Sequence, residues 1–276
     1  MLDLFLKSKE ALKNKGCNID FLNSIPQPKD EFKPVYDLLF SGEPLGKDEL
    51  LKYDKSVLHC LYLIKAAELT QNCTYMSNGK SLDYYADIIR FIGENHNRFC
   101  EYDITGNFLY HVYRYLRGII VHLGRLCFEI KHYDFFYDVK NGDETVLDSS
   151  SWVLSVHIPG SEPMLPEKID ESFKLADEFF AKYHPDKNFK AFVCASWLLD
   201  TQLNKFFGEN SNVVAFQNRF TIKRGNEIPE CVCDHIFGCP QMEYKNLKPK
   251  NRFQREVKEF LLNGGKLYSG KGYILR

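Results

Sequence analysis

Hydrophobic residues recur every three or four positions in the first 120 residues, which is the spacing of one face of an α-helix. One such run consists of Phe32, Tyr36, Leu39 and Phe40. The pattern predicts helices that end at Gly16 and at Gly42, and a longer helix, DELLKYDKSVLHCLYLIKAAELTQ, that is capped by Asp48. A further helix is expected to begin near Ser81. The segment FLYHVYRYLRGIIVHLG favours a helix, with a strand as the alternative because it is rich in aromatic and β-branched residues.

After Gly124 the pattern changes to strict alternation, which is typical of strands. Strands are predicted over RLCFEIKHYDFFYDV, SSSWVLSVHIP, FKAFVCASW, NVVAFQNRFTIKR with a turn at Gly225 and Asn226, and ECVCDHIFG. KLYSGKGYILR is expected to form an edge strand or an extended segment. Helices are predicted over PEKIDESFKLADEFFAKY, LLDTQLNKFF and NRFQREVKEFLLNGG. We therefore expect an α+β protein with a mixed sheet, in which a helical domain (1–121) precedes a sheet domain (122–276).

Composition narrows the class of protein. The 276 residues include 36 Lys and Arg against 37 Asp and Glu, so no excess positive charge favours nucleic acid or an anionic membrane as a partner. Nine cysteines without a disulfide spacing, and an N-terminus without a secretion signal, favour a cytoplasmic location. The most apolar windows are too short or too charged to span a bilayer.

The candidate chemistry lies in the stretch from Trp152 to Leu203, where a strand, a loop, a helix and a second strand follow one another. The loop GSEPMLP and the helix start after it could bind a phosphate, with help from Lys168, or could be an ordinary connection. His157 at one strand end could face Cys194 or Ser196 in the next strand, as acid–base or nucleophilic chemistry requires. The alternative is that the histidine and the cysteine are structural, that Asp200 caps a turn and that Trp197 belongs to the core.

A second cluster contains Cys231, Cys233, His235 and Cys239. On a strand, the first three of these would project from one face and resemble a zinc site. Because a second well-spaced pair of ligands is missing, we expect no metal.

Four segments resemble a family: WVLSVHIP, PEKIDESFKLADEFFAKYHPD, FVCASWLLDTQL and SNVVAFQNRFTIK. They are similar to bacterial acyltransferases that join a helical N-terminal N-acyltransferase domain to a GNAT-like C-terminal domain. The resemblance covers Arg125 to Arg276 and extends more loosely over the first half. The matching positions are His157-Ile158-Pro159, Asp170-Glu171-Ser172, Phe179-Phe180, Cys194 to Asp200, Ser211-Asn212-Val213 and Phe216 to Phe220. The chain departs from the family in three respects: Ala195 replaces an expected histidine, the Cys231 to Cys239 cluster lies where a plain strand is expected, and the usual acetyl-CoA loop pattern is absent from Gly160 to Leu165.

The resemblance implies transfer of an acyl group from acyl-CoA, as cosubstrate, to an amine or another small acceptor. It implies that the strand at Trp152 and the helix at Pro166 form the acyl-CoA unit, and that the strand through Cys194 splays away to open a cleft. The implied contacts to acyl-CoA are Ile158, Gly160, Ser161, Lys168, Ser172 and Trp197. The implied catalytic residues are Glu129 and His157 as bases and Ser196 or Cys194 as acid, with Asp200 near the same site. Two alternatives stay open: a GNAT-like binding module that has lost CoA, and acyl transfer or hydrolysis through a Cys194 thiolate with His157 as its base.

Overall fold

The computed structural model describes residues 1–72, 85–86, 105–159, 163–208, 210–229, 232–239 and 242–276. The chain forms two compact units, Met1–Val121 and His122–Arg276. Most of the helix predicted from Ser81 lies outside the described residues. Gly160, Ser161 and Cys231 also lie outside them.

The first unit consists of helices. They are α1 (Leu2–Asn14), α2 (Ile19–Ser24), a 3-10 turn at Asp30–Phe32, α3 (Lys33–Ser41), α4 (Lys47–Leu50), α5 (Lys55–Asn72) and α6 (Thr105–Leu116). The long helix expected from Asp48 is in fact two helices. The Asp54 carboxylate accepts hydrogen bonds from the amides of Ser56 and Val57 at 2.9 and 3.2 Å, so Asp54 rather than Asp48 caps the longer helix.

A sheet of six strands organises the second half of the chain, in the spatial order β1-β2-β5-β6-β8-β7. Its strands are β1 (Ile120–Leu123), β2 (Leu126–His132), β5 (Trp152–His157), β6 (Phe189–Ser196), β7 (Thr221–Glu227) and β8 (Tyr268–Leu275). β3 (Val139–Asn141) and β4 (Glu144–Leu147) pair separately. β5 and β6 are parallel, whereas β2–β5, β6–β8 and β7–β8 are antiparallel. The predicted α+β class with a mixed sheet is confirmed.

Helices connect and cover these strands. They are α7 (Pro166–Tyr183), two 3-10 turns at Trp197–Leu199 and Thr201–Leu203, α8 (Asn204–Phe207), α9 (Asn212–Gln217), a π-helical turn at Val232–Phe237, a 3-10 turn at Tyr244–Asn246, and α10 (Arg252–Leu262). The phenyl rings of Phe128 and Phe192 in the sheet pack on Phe173 of α7, at centroid distances of 6.0 and 4.8 Å. Helix α7 therefore covers the sheet face that carries Phe128 and Phe192.

Several predicted strands are wrong or displaced. Residues 212–217 are helical because the Ser211 hydroxyl caps them, accepting from the Val214 amide at 3.2 Å. The segment Val232–Phe237 buries Val232, Cys233, Ile236 and Phe237, a helical rather than alternating spacing.

The C-terminal strand was predicted at an edge, but β8 lies inside the sheet between β6 and β7. It can do so because Gly270 and Gly272 leave room for Leu199 and Phe220. The turn predicted at Gly225 and Asn226 is a register shift within β7. The segment after Arg117 divides into the end of a helix and a strand, because Gly118 adopts a φ of +72° after α6 and β1 begins at Ile120.

Candidate active site

Strand register assigns the candidate residues to two opposite faces of the sheet. Residues paired across a ladder share a face, and neighbours along a strand alternate. The pairs Phe128–Val156, Ile130–Leu154 and Leu154–Phe192 lie on the face covered by α7. The pairs Cys127–His157, Glu129–Ser155 and Ser155–Val193 lie on the other face.

The parallel ladder between β5 and β6 ends before the strands do. Its recorded pairs run from Trp152–Phe189 to Ser155–Val193, while β5 continues to His157 and β6 to Ser196. Over these last residues β6 stays paired with β8, through Cys194–Gly272, Ala195–Lys271 and Ser196–Gly270. In the described residues, β5 and β6 therefore part at the level of His157.

His157 and Glu129 form the polar pair at this opening. The imidazole Nε2 of His157 lies 3.0 Å from Oε2 of Glu129. The two residues are diagonal neighbours on β5 and β2, since His157 is opposite Cys127 and Glu129 is opposite Ser155. Their side chains are 27% and 13% exposed, so the pair is shielded but reachable. A carboxylate that orients an imidazole is the arrangement of an acid–base dyad.

Cys194 does not join this pair. Its side chain alternates with Val193 and so lies on the α7 face, opposite to that of His157. It is 1% exposed, and burial raises the pKa of the thiol to about 12. At pH 7 about one molecule in 10⁵ would carry the thiolate. The structure therefore places His157 and this thiol on opposite faces of the sheet and does not bring them together.

Ser196, Trp197 and Asp200 stabilise the chain that follows β6. The Ser196 hydroxyl accepts from the Leu198 amide at 3.2 Å and caps the first 3-10 turn. Buried Asp200 caps the second turn through the Gln202 amide at 3.1 Å and accepts from the Tyr268 amide at 2.8 Å. Trp197 packs against the core around Val257 and Leu261. These contacts agree with the structural alternative, in which Asp200 caps a turn and Trp197 belongs to the core.

Ser172 is an interior link rather than a ligand contact. It is fully buried, and its hydroxyl accepts from the amides of Arg125 and Leu126 at 2.7 and 3.3 Å and donates to the Lys168 carbonyl at 2.8 Å. Gly124 turns beside it with a φ of +69°, and a Cβ there would lie 2.7 Å from Oγ of Ser172. Ser172 therefore fixes α7 to the β1–β2 turn, and a bound cofactor cannot reach it.

The other residues expected to contact acyl-CoA flank the loop after β5. Ile158 follows β5 directly and is half-buried, and Lys168 is exposed in the first turn of α7. The Arg125 Nε donates to the Pro163 carbonyl at 3.1 Å, which holds the end of the loop. Leu165 precedes α7, and its apolar side chain cannot accept a hydrogen bond from the first amides of the helix.

The second cysteine cluster is not a strand face. Cys233 and His235 lie in the π-helical turn, where Cys233 is buried and His235 is exposed. In the part of the chain that the structure describes, no group of three or more His, Cys, Asp or Glu residues is arranged to hold a metal. Among the same residues, no helix is both long and apolar enough to cross a membrane.

A family model described as "GNAT-like C-terminal domain" matches residues 120–274. The chain belongs to this family. The GNAT-like region contains the six described strands of the sheet, apart from the last residue of β8, and both members of the His157–Glu129 pair. The sequence has no significant match among curated proteins.

Solved structures similar to this GNAT-like chain include an acyltransferase in complex with CoA and 10C-teicoplanin, with a TM-score of 0.53 and 16% identity over 98% of this chain and 99% of that one. An acyltransferase in complex with decanoyl-CoA and teicoplanin matches with a TM-score of 0.52 and 17% identity over 98% and 99%. A third, in complex with decanoyl-CoA, has a TM-score of 0.50 and 18% identity over 99% of each chain. At these identities the likeness shows a shared fold along the whole chain.

Two lysines near the site did not stand out in the sequence. Lys271 is paired with Ala195 and with Lys223, so both lysines lie on the face of Val193 and His157. In the sequence, alternation within each strand was visible, but the order of the strands was not. The order β6-β8-β7 is what places these two lysines beside the opening.

Proposed function

We propose that this protein transfers an acyl group from an acyl-CoA thioester to an amine or another small acceptor. The observation that carries the proposal is the 3.0 Å contact between His157 and Glu129 at the point where the β5–β6 ladder ends. The GNAT-like family and the acyltransferase folds that bind CoA or decanoyl-CoA support the same reading.

In the proposed reaction the acceptor nitrogen attacks the thioester carbonyl, so that a C–N bond forms and the C–S bond breaks. His157 accepts the proton that the nitrogen loses, and the imidazolium then returns this proton to the departing CoA thiolate, so that free CoA leaves and neutral His157 is restored. When Nε2 of His157 donates to Glu129, the lone pair is on Nδ1, which is the atom that accepts this proton. The Glu129 carboxylate stabilises the imidazolium that results.

We assign the acyl-CoA side to the end of β5 and the start of α7. Where the ladder ends, backbone groups of β5 can form hydrogen bonds with amide groups of the bound acyl-CoA. The backbone amides at the start of α7 can bind its pyrophosphate. Ile158 and Lys168 remain proposed contacts, as do Gly160 and Ser161 in the loop. We propose Ser196 as a contact to the acyl-CoA rather than to the acceptor, because it ends β6 and is half-buried, and because it alternates with Ala195 and so lies on the α7 face.

We also propose that the chain has two domains, a helical domain at 1–121 and a GNAT-like domain at 122–276. The support is that the structure separates into compact units with these bounds, one made of helices and the other built on a sheet.

The test has two parts. Calorimetry with acetyl-CoA and decanoyl-CoA measures binding to the full chain, and mass spectrometry measures acylation of a panel of amines. Binding and acylation are both expected. No binding of either thioester would refute the proposal and favour the binding module that has lost CoA. Binding without acylation of any amine would refute acyl transfer to an amine.

The Cys194 alternative is tested separately with a thiol alkylator under mildly unfolding and native conditions. Since this thiol is buried with a raised pKa, we expect Cys194 to stay unmodified in the native protein and to react only under the mildly unfolding conditions, with full turnover once the modified protein is returned to native conditions. Loss of turnover that tracks modification of Cys194 would instead support a thiolate route.

A further inference from the structure

The face that carries His157 continues across the sheet as a row of side chains. Ala195 on β6 is paired with Lys271 on β8, and Lys271 is paired with Lys223 on β7. Ser155 and Val193 form the last pair of the β5–β6 ladder. His157 and Ala195 each lie two residues beyond that pair, so they are at the same level on the same face. The row therefore begins at the proposed base and ends in two ammonium groups.

The two lysines are a cross-strand pair of like charges, an arrangement that destabilises a sheet. Within the described residues neither ammonium forms an ion pair with a carboxylate. Lys131, which lies on the same face of β2, differs because its Nζ is 2.7 Å from Asp134. An anion placed between Lys223 and Lys271 would turn their repulsion into attraction.

Aromatic rings hold both ammonium groups on this face. The Lys223 Nζ is 3.8 Å from the ring centroid of Tyr137, and the Lys271 Nζ is 4.3 Å from that of Phe136. The Tyr137 hydroxyl donates to the Lys271 carbonyl at 3.3 Å, which ties the aromatic segment to β8. Phe136 is 62% exposed, so its ring is open to a ligand beside the lysines. Charge and apolar surface are thus presented together.

The sheet face on which His157 lies decides whether the acceptor or the acyl-CoA contacts Lys223 and Lys271. Because His157 lies on the face opposite to α7, an acceptor that gives its proton to His157 must approach from the face of Lys223 and Lys271. Lys271 is two strands from His157, and because β5 and β6 part at this level the separation is at least the roughly 10 Å of two ordinary strand spacings. An acceptor of moderate length can span it.

We infer that Lys223 and Lys271 form an anion-binding subsite for the acceptor, and that the acceptor is an amine carrying a carboxylate or phosphate group several bonds from its nitrogen. The inference rests on the proposed acyl transfer, since that reaction fixes where the acceptor nitrogen lies. The subsite itself can be measured without turnover.

The test compares benzylamine with 4-(aminomethyl)benzoate and 4-(aminomethyl)phenylphosphonate, with decanoyl-CoA as donor. We expect kcat/KM to be about tenfold or more higher for an anionic amine than for benzylamine. In the double variant Lys223→Gln/Lys271→Gln this preference should fall to about one, through a higher KM for the anionic amine. The variant Lys174→Gln, whose side chain is 78% exposed on α7, should keep the preference. The better of the two anionic amines identifies the anion.

Two further measurements separate the possible failures. Calorimetry of 4-(aminomethyl)benzoate with the full chain reports the subsite directly: lysine-dependent binding without acylation would refute acyl transfer and retain the subsite. Acylation of all three amines at equal rates, unchanged in the double variant, would refute the subsite and retain acyl transfer. A double variant that raises KM for decanoyl-CoA alone would assign the lysines to the cosubstrate and overturn the inference.

Discussion

His157 and Glu129 come from different strands and meet because β2 and β5 are neighbours in this sheet. We predict that His157→Gln lowers kcat by about 10² to 10³, because the amide cannot accept the proton from the acceptor nitrogen. Glu129→Gln keeps a hydrogen-bonding side chain but removes the charge that stabilises the imidazolium, so its loss should be smaller, about tenfold. Steady-state kinetics with saturating acyl-CoA measures both. Equal activity in His157→Gln and the wild type would exclude His157 as the base.

A substitution at Cys194 is the control for the effect of His157→Gln on kcat. Cys194→Ala should leave kcat within about threefold of wild type and lower the free energy of unfolding by about 1 kcal/mol, since it removes only a buried thiol. Kinetics and urea denaturation on the same sample test this prediction. A loss of kcat as large as that of His157→Gln, with stability unchanged, would show that the thiol takes part in the chemistry.

The contact between α7 and the β1–β2 turn depends on one hydroxyl. Ser172→Ala leaves the buried amides of Arg125 and Leu126 without their acceptor and should lower the free energy of unfolding by about 2 kcal/mol or more. Urea denaturation followed by tryptophan fluorescence measures the loss. Lys174→Ala on the exposed side of the same helix is the control and should change stability by less than about 0.5 kcal/mol. A similar small effect for Ser172→Ala would contradict the assigned role.

The elements predicted best were those whose apolar spacing persists over several turns or alternations, such as Pro166–Tyr183 and Trp152–His157. Residues 212–217 and 232–237 misled the prediction because short β-branched and aromatic runs suit either state, and a cap or tertiary burial decides between them. Both members of the His157–Glu129 pair were named from the sequence. Their contact, and the opposite face of Cys194, depend on strand order and register, which no local pattern specifies.

At the scale of the whole molecule, tryptophan fluorescence reports on the second unit alone, because both tryptophans, Trp152 and Trp197, lie there. Helical circular dichroism reports on both units, and the helices of the first unit contribute to it in full. The first unit also contains a buried histidine, His59, whose Nδ1 lies 2.9 Å from the Tyr85 hydroxyl and whose ring packs edge-on against Phe21. Burial lowers the pKa of His59 from 6.5 to about 4. Protonation of this imidazole therefore opposes folding of the helical unit.

Because the folded pKa is depressed, the stability that His59 contributes is complete above about pH 6.5 and is lost as pH falls toward about 4, where the loss reaches about 3 kcal/mol. In an acid titration we expect helical circular dichroism to decrease at a higher pH than the one at which tryptophan fluorescence changes. His59→Asn removes the titrating group while keeping a polar partner for Tyr85. It should be less stable at neutral pH but show a flatter pH dependence across this range. If circular dichroism and fluorescence change together, and His59→Asn has the slope of the wild type, then the acid sensitivity does not come from His59.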